Sequence, residues 1–199
     1  TPRARLGATP AEKSAAAVGR IGVMAWTPRG GAVSPLQAVA MRGEGKLFFT
    51  GNVHDTGREA GALAYSLLRS RASALGIDGL VLAYDLHLHY ADFEVSKEGH
   101  SSGLALTLAG LSALTRRALR GRLAVTGAVD LDGSVVRIDG VYEKIVAARL
   151  AGVTCVLHPS GNATDVARLP DLARAGVQLI AVSTIDEAIH HAFARAEGS

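Results

Sequence analysis

Two serines and one lysine carry the chemistry that this sequence can offer. Ser101 and Ser102 stand in "SKEGHSSGLALTLAGLSAL", residues 96 to 114, where a polar loop runs into a long apolar segment. A serine in that place caps a helix: it accepts hydrogen bonds from the free N–H groups of the first turn, which is worth ~1 kcal/mol. The same helix start offers unpaired donors and the positive end of a dipole, which suits an oxyanion beside a serine hydroxyl. Both readings stand on local grounds. A nucleophilic serine also needs a base.

Lys144, in "GVYEKIVAARLAG", is a candidate for that base. Read as a helix, the stretch gives it Ala147, Ala148 and Ala151 ahead and Gly140 and Val141 behind, so no acid stands at helical spacing to pair with it. Such a lysine either snorkels past its apolar neighbours or is held away from water. Desolvation lowers the pKa of an ammonium from ~10.4, and a lysine neutral near pH 7 can act as a general base.

Other residues offer weaker candidates for chemistry. His87 and His89 in "DLHLHY" alternate along a strand, so both imidazoles face one side; an H-x-H pair can ligate zinc, but no third ligand follows at a recognisable spacing. Lys97 is an alternative base, set in a polar loop beside Glu98. Cys155 lies in a short apolar run and reads as an inert core residue. "RGEGK" lacks the full phosphate-binding loop pattern and reads as a turn. "RRALRGR", residues 116 to 122, reads as a solvated helix end; a nucleic-acid patch would show a denser stripe or interleaved aromatics, and aromatics are 5% of the chain.

The elements that must position these residues alternate in type. "GRIGVMAW", "AVSPLQAVAM" and "GKLFFTG" read as three strands, most simply a meander. A helix follows in "TGREAGALAYSLLRSRASALG", stopped by Gly76, and then the strand "LVLAYDLHLHY". The helix after "HSSG" extends to about Leu119, and the strands "LAVTGAV" and "SVVRI" flank the turn "LDG". The remainder alternates: helix 140–151, strand 153–157, helix 163–174, strand 177–182 and helix 184–195. An α/β or α+β domain follows. Residues 1–18 read as a linker or the end of an upstream domain, and 19–199 as one domain.

Composition bounds the rest. At 199 residues and 48% hydrophobic, the chain can bury a sizeable core. The formal charge of +3 is scattered, and nucleic acid is not an expected partner. The single cysteine excludes an internal disulfide and suits a cytoplasmic setting. No apolar run approaches the ~20 residues that would span a bilayer. The opening "TPRARLGATPAEKS" lacks Met and suits a piece of a longer chain.

Together the two motifs resemble the proteolytic domain of the Lon proteases, a Ser–Lys peptidase domain usually fused behind an AAA+ ATPase. "SKEGHSSGLAL" is similar to the family's P-K-D-G-P-S-A-G, which places the nucleophile at Ser101 rather than Ser102, with Gly99 and Ser102 as supporting neighbours. "TGAVDLDGSVVRIDGVYEKIVAARLAGV" resembles the motif around the family's general base and places it at Lys144, 43 residues on, as that family spaces them. The likeness runs over about residues 19 to 195.

The resemblance implies an α+β fold of the Lon proteolytic-domain type, with mixed sheets packed by helices. It implies a serine endopeptidase acting on unfolded polypeptide inside a homo-oligomeric ring, a hexamer in that family, with no cofactor in this domain and ATP and Mg only where an AAA+ domain is present. In that mechanism Lys144 takes the proton of Ser101, N–H groups at the helix start hold the oxyanion, and Thr126 orients the lysine. Glu98 stands where the family usually has Asp, and His87 and His89 have roles behind the nucleophile. Departures are His100 for Pro, Ser102 for Ala, Glu98 for Asp and Asp139 for the first of two glycines. The rival is a non-proteolytic Lon-like ring or binding module of a DNA-handling ATPase; such relatives generally lack the nucleophile. A small-substrate Ser–Lys hydrolase on another fold would leave the long likeness unexplained.

Overall fold

A computed structural model describes residues 15–28, 30–77, 83–91 and 99–194. Seven strands form one mixed sheet. They are β2 (Arg20–Thr27), β3 (Gly30–Arg42), β4 (Leu47–Thr50), β5 (Tyr84–Tyr90), β7 (Leu123–Val125), β10 (Cys155–Pro159) and β11 (Gln178–Val182), ordered β11-β10-β7-β2-β3-β5-β4. A two-residue strand β1 (Ala17–Val18) pairs with β6 (Ala118–Leu119), and β8 (Ala128–Val129) pairs with β9 (Val135–Val136) around the expected turn. The helices are α1 (Asp55–Ser70), α2 (Gly103–Thr115), α3 (Val141–Leu150), α4 (Ala163–Ala167), α5 (Asp171–Arg174) and α6 (Ile185–Ala192). The α+β reading, a mixed sheet packed by helices, holds.

Within it, the meander does not. β2 and β3 form the antiparallel hairpin, but β5 inserts next to β3 and β4 lies outside it, parallel to β5. The cause is the intervening helix: strand, helix and strand in sequence make a crossover, and a crossover joins parallel strands. The same logic pairs β7 with β10 across α3, and β10 with β11 across α4 and α5, all in parallel.

Two further expectations shift. The run "LAVTGAV" is broken into β7 and β8 at Thr126–Gly127, where Gly127 takes φ 157. The helix foreseen over 163–174 is cut in two before Pro170, which cannot supply the N–H that a continuous helix needs. The helix after "HSSG" ends at Thr115, and Leu119 belongs to β6.

Side-chain alternation along the central strands splits the core in two. Ile21, Val23, Leu36 and Ala38 face α1 and α2, while Met24 and Val33 join Ala124, Ala148 and Val156 under α3. α2 is apolar on every side and buried from Gly103 to Ala113, as befits a helix enclosed between the sheet and its neighbours. Its lower end is tied to the start of the fold, because Gly19 N–H donates to the Ser112 hydroxyl at 2.8 Å. α3 sits close on β3: a Cβ on Gly31 would lie 2.0 Å from the Glu143 carbonyl oxygen.

That contact makes a prediction. Gly31→Ala should lower stability by about 1–3 kcal/mol through forced displacement of α3, read as a drop in the urea midpoint. An unchanged midpoint would show that α3 does not depend on this close approach.

Candidate active site

Lys144 lies one turn into α3, and three contacts fix that turn. Gly140, at the N-cap with φ 68, has Trp26 against it, so close that a Cβ there would meet Trp26 Cδ1 at 2.8 Å. Gly31 abuts the Glu143 carbonyl from the other side. Lys144 itself is only 2% exposed, and its Nζ donates to Thr126 Oγ1 at 3.3 Å. Thr126, fully buried at the end of β7, points its hydroxyl in turn at the Ser101 carbonyl, 3.4 Å away. The snorkelling alternative is thus set aside: the lysine head ends inside the protein.

Burial lowers the Lys144 pKa to about 8, against the opposing pull of Asp139 and Glu143, whose negative charges favour the ammonium. Helical spacing alone gave Lys144 no acidic neighbour. The structure supplies two, one from the turn before α3 and one adjacent in sequence.

The Ser101 turn is held from two sides. Residues His100–Ser102 form a single 3-10 turn leading into α2. From α1, Thr56 Oγ1 accepts the Gly99 N–H at 2.8 Å and Glu59 Oε2 meets His100 Nε2 at 3.0 Å. From the segment after β7, Gly127 N–H donates to the Ser101 carbonyl at 2.8 Å and the Gly127 carbonyl accepts the Leu104 N–H at 2.9 Å. Gly99 adopts φ 88, a conformation open to glycine, so the motif's glycine has a backbone reason.

The capping reading of "HSSG" fails in detail. Ser102 occupies the N-cap position of α2 but makes no side-chain cap bond there. It is buried beside the phenol of Tyr90, whose own pKa burial pushes up to about 12. The helix-start N–H groups are also partly spent: Leu104 gives its proton to Gly127 and Gly103 to His100. Donors for an oxyanion must come from the turn at Ser101 itself.

Ser101 and Lys144 line one cleft of about 1550 Å³, floored by Leu63, Val129 and Ile138 and flanked by Trp26. Sequence reasoning brought these two and Thr126 together. It missed Gly127, Thr56 and Glu59, whose only signal was a glycine after the strand and polar residues in the first two turns of α1. His87 and His89 are placed elsewhere, on the outer face of the sheet, where Thr50 Oγ1 meets His87 Nε2 at 3.0 Å and His89 Nδ1 at 2.7 Å. Among the described residues no three His, Cys, Asp or Glu converge to hold a metal ion. Cys155 is buried, and burial pushes its thiol pKa up. Glu98 and Lys97 lie outside the described residues.

A serine turn pinned at its carbonyl, and a buried lysine able to give up its charge near pH 8, share one threonine and one cleft. The sequence model of the Lon protease (S16) C-terminal proteolytic domain matches residues 5–195. The chain belongs to this family. It is 39% identical over 173 residues to "Lon protease" of Acinetobacter baumannii, covering 86% of this chain and 21% of that protein. It is 37% identical over 193 residues to "Lon protease 1" of Myxococcus xanthus, covering 96% of this chain and 23% of the relative. With "Lon protease" of Azorhizobium caulinodans the identity is 36% over 195 residues, or 98% and 22% of the two chains. This Lon proteolytic domain therefore spans about a fifth of the length of the curated relatives it matches. Among its described residues no helix is long and apolar enough to cross a membrane.

The buried lysine of this Lon domain has a thermodynamic signature. Its pKa is about 8 when folded and 10.5 in the ordinary state, so the unfolded chain binds the extra proton and stability rises with pH between those values. Lys144→Met should be more stable than the parent at pH 7, by up to about 3 kcal/mol at 1.36 kcal/mol per pKa unit, with the gap closing towards pH 10.5. Urea melts at the two pH values check this; an equal gap at both would mean that burial is not what depresses the lysine.

Proposed function

We propose that this domain is a serine endopeptidase in which Ser101 is the nucleophile and Lys144 its general base. The observation that carries the reading is the buried amine itself, hydrogen-bonded to Thr126 and lining the same cleft as Ser101. Neutral Lys144 accepts the Ser101 proton as Oγ attacks the peptide carbonyl; the ammonium so formed protonates the leaving amine, and water then releases the acyl group. Thr126 accepts from Lys144 and donates to the Ser101 carbonyl, which holds base and nucleophile turn in one register. The oxyanion is taken by N–H groups of the Ser101 turn. Ser102, turned to Tyr90, and Gly99, which sets the turn, support the geometry without touching substrate. Glu98 completes the supporting set carried over from the family's motifs.

For the whole protein we extend the reading to a homo-oligomeric ring, a hexamer, whose chamber admits unfolded polypeptide. ATP and Mg belong to an AAA+ partner domain and not to these residues. The presence of both a serine and a lysine in one cleft favours the enzyme over a Lon-like binding module without proteolysis.

On an unstructured fluorogenic peptide, kcat/KM should rise with pH through about 8, the value at which Lys144 loses its proton. Ser101→Ala and Lys144→Ala should each lower it by at least about a thousandfold. Retention of cleavage by Ser101→Ala, or a rate flat in pH from 6 to 10, would overturn the assignment. Light scattering on the isolated domain tests the ring separately.

A further inference from the structure

The charges of the cleft indicate which polypeptides it takes. Among the described residues six ionisable side chains line it: His100, Asp130, Arg137, Asp139, Glu143 and Lys144. Three are already accounted for. His100 faces Glu59, Arg137 donates to Asp165 at 3.0 Å, and Lys144 is buried on Thr126. Among the described residues Asp130, Asp139 and Glu143 have no ion pair in direct contact, and the pull of Asp139 on Arg137 is weaker than that of Asp165. In a chain of formal charge +3, the cleft is thus a local negative field, and a field of one sign inside a cleft concentrates ligands of the other.

A second observation is independent of charge. Trp26 is 56% exposed although it is the sole tryptophan of the chain, and it leans on Gly140 beside Asp139. Among the described residues no cation of the chain itself lies over its ring. An open indole attracts an ammonium or guanidinium through the negative face of its π-system, and tryptophan does so best. Its apolar body also matches the methylene stem of a lysine or arginine.

We propose that Trp26, Asp139 and Glu143 form a subsite for a cationic side chain, so that the cleft prefers polypeptides with Arg or Lys close to the scissile bond. The inference rests on the reading of the cleft as a peptidase site. Asp139 stands where the resembling family has glycine, so this preference belongs to the present chain. A cation seated there also offsets the two carboxylates that keep the proton on Lys144.

Unstructured peptides that differ at one position beside the cleaved bond, carrying Arg, Lys, norleucine or Glu, provide the test. With the 199-residue chain, kcat/KM for the Arg and Lys peptides should exceed that for norleucine by about fivefold, and that for Glu by more, from two solvent-facing ion pairs and a cation–π contact. The ratio should shrink at 0.5 M NaCl. It should also fall towards one in Asp139→Asn/Glu143→Gln, compared within each variant so that any change in Lys144 drops out. The same order is expected for equilibrium binding to Ser101→Ala by fluorescence anisotropy, which needs no turnover. Equal rates and equal binding across the series, or a preference unchanged in the double variant, would overturn the subsite. If norleucine peptide is cleaved without charge selection, the peptidase reading survives alone; if cationic peptides bind selectively but none is cut, the subsite stands and the catalytic reading falls.

Discussion

Everything in this domain serves to hold one amine away from water. An ammonium in a low-dielectric interior is costly, and the cost is met by letting it become an amine. For that the lysine must be enclosed yet reach a hydroxyl, and the two requirements set the architecture around it. α3 lies flat on β2 and β3 because Gly31 and Gly140 carry no side chains to lift it. Thr126 sits where β7 breaks, at the one point from which a hydroxyl can meet both the lysine and the carbonyl of the serine turn.

Electrostatics then divides the neighbourhood into two layers. Inside, Lys144 donates to Thr126 in a buried contact. At the mouth, Asp139 and Glu143 face solvent and act on the lysine across a boundary, pulling its pKa back towards the ordinary value. The glycine-to-aspartate departure at 139 is therefore not a neutral surface change. It adds a charge at the rim of the site while leaving Gly140, the position that needs φ above zero, untouched.

Much of this was readable in the sequence, for physical reasons that differ by residue. Lys144 stood out because alanines surround it at helical spacing, and its burial follows from that face. A polar loop running into a largely apolar segment marked Ser101 and Ser102 alike, and the resemblance to the Lon motif chose Ser101. The acids acting on Lys144 were missed because a spacing rule sees only neighbours along one helix, whereas Asp139 reaches it from the preceding turn. The placing of β4 was missed although the strand–helix–strand order signals parallel pairing, and Pro170 announced the break between α4 and α5. The tethers from α1, Thr56 and Glu59, could not be read as such from polar residues near a helix start, since contacts between distant segments are decided by packing rather than by local pattern.

The bond from Gly19 to Ser112 gives the fold a mechanical property. Strand β1 pairs with β6 just beyond the far end of α2, and the same helix begins at the Ser101 turn. α2 is a rod of about 20 Å at 1.5 Å per residue, buried from Gly103 to Ala113. Residues 17 to 19 and the Ser101 turn are thus tied to opposite ends of one helix, the latter bonded to Gly127 as well.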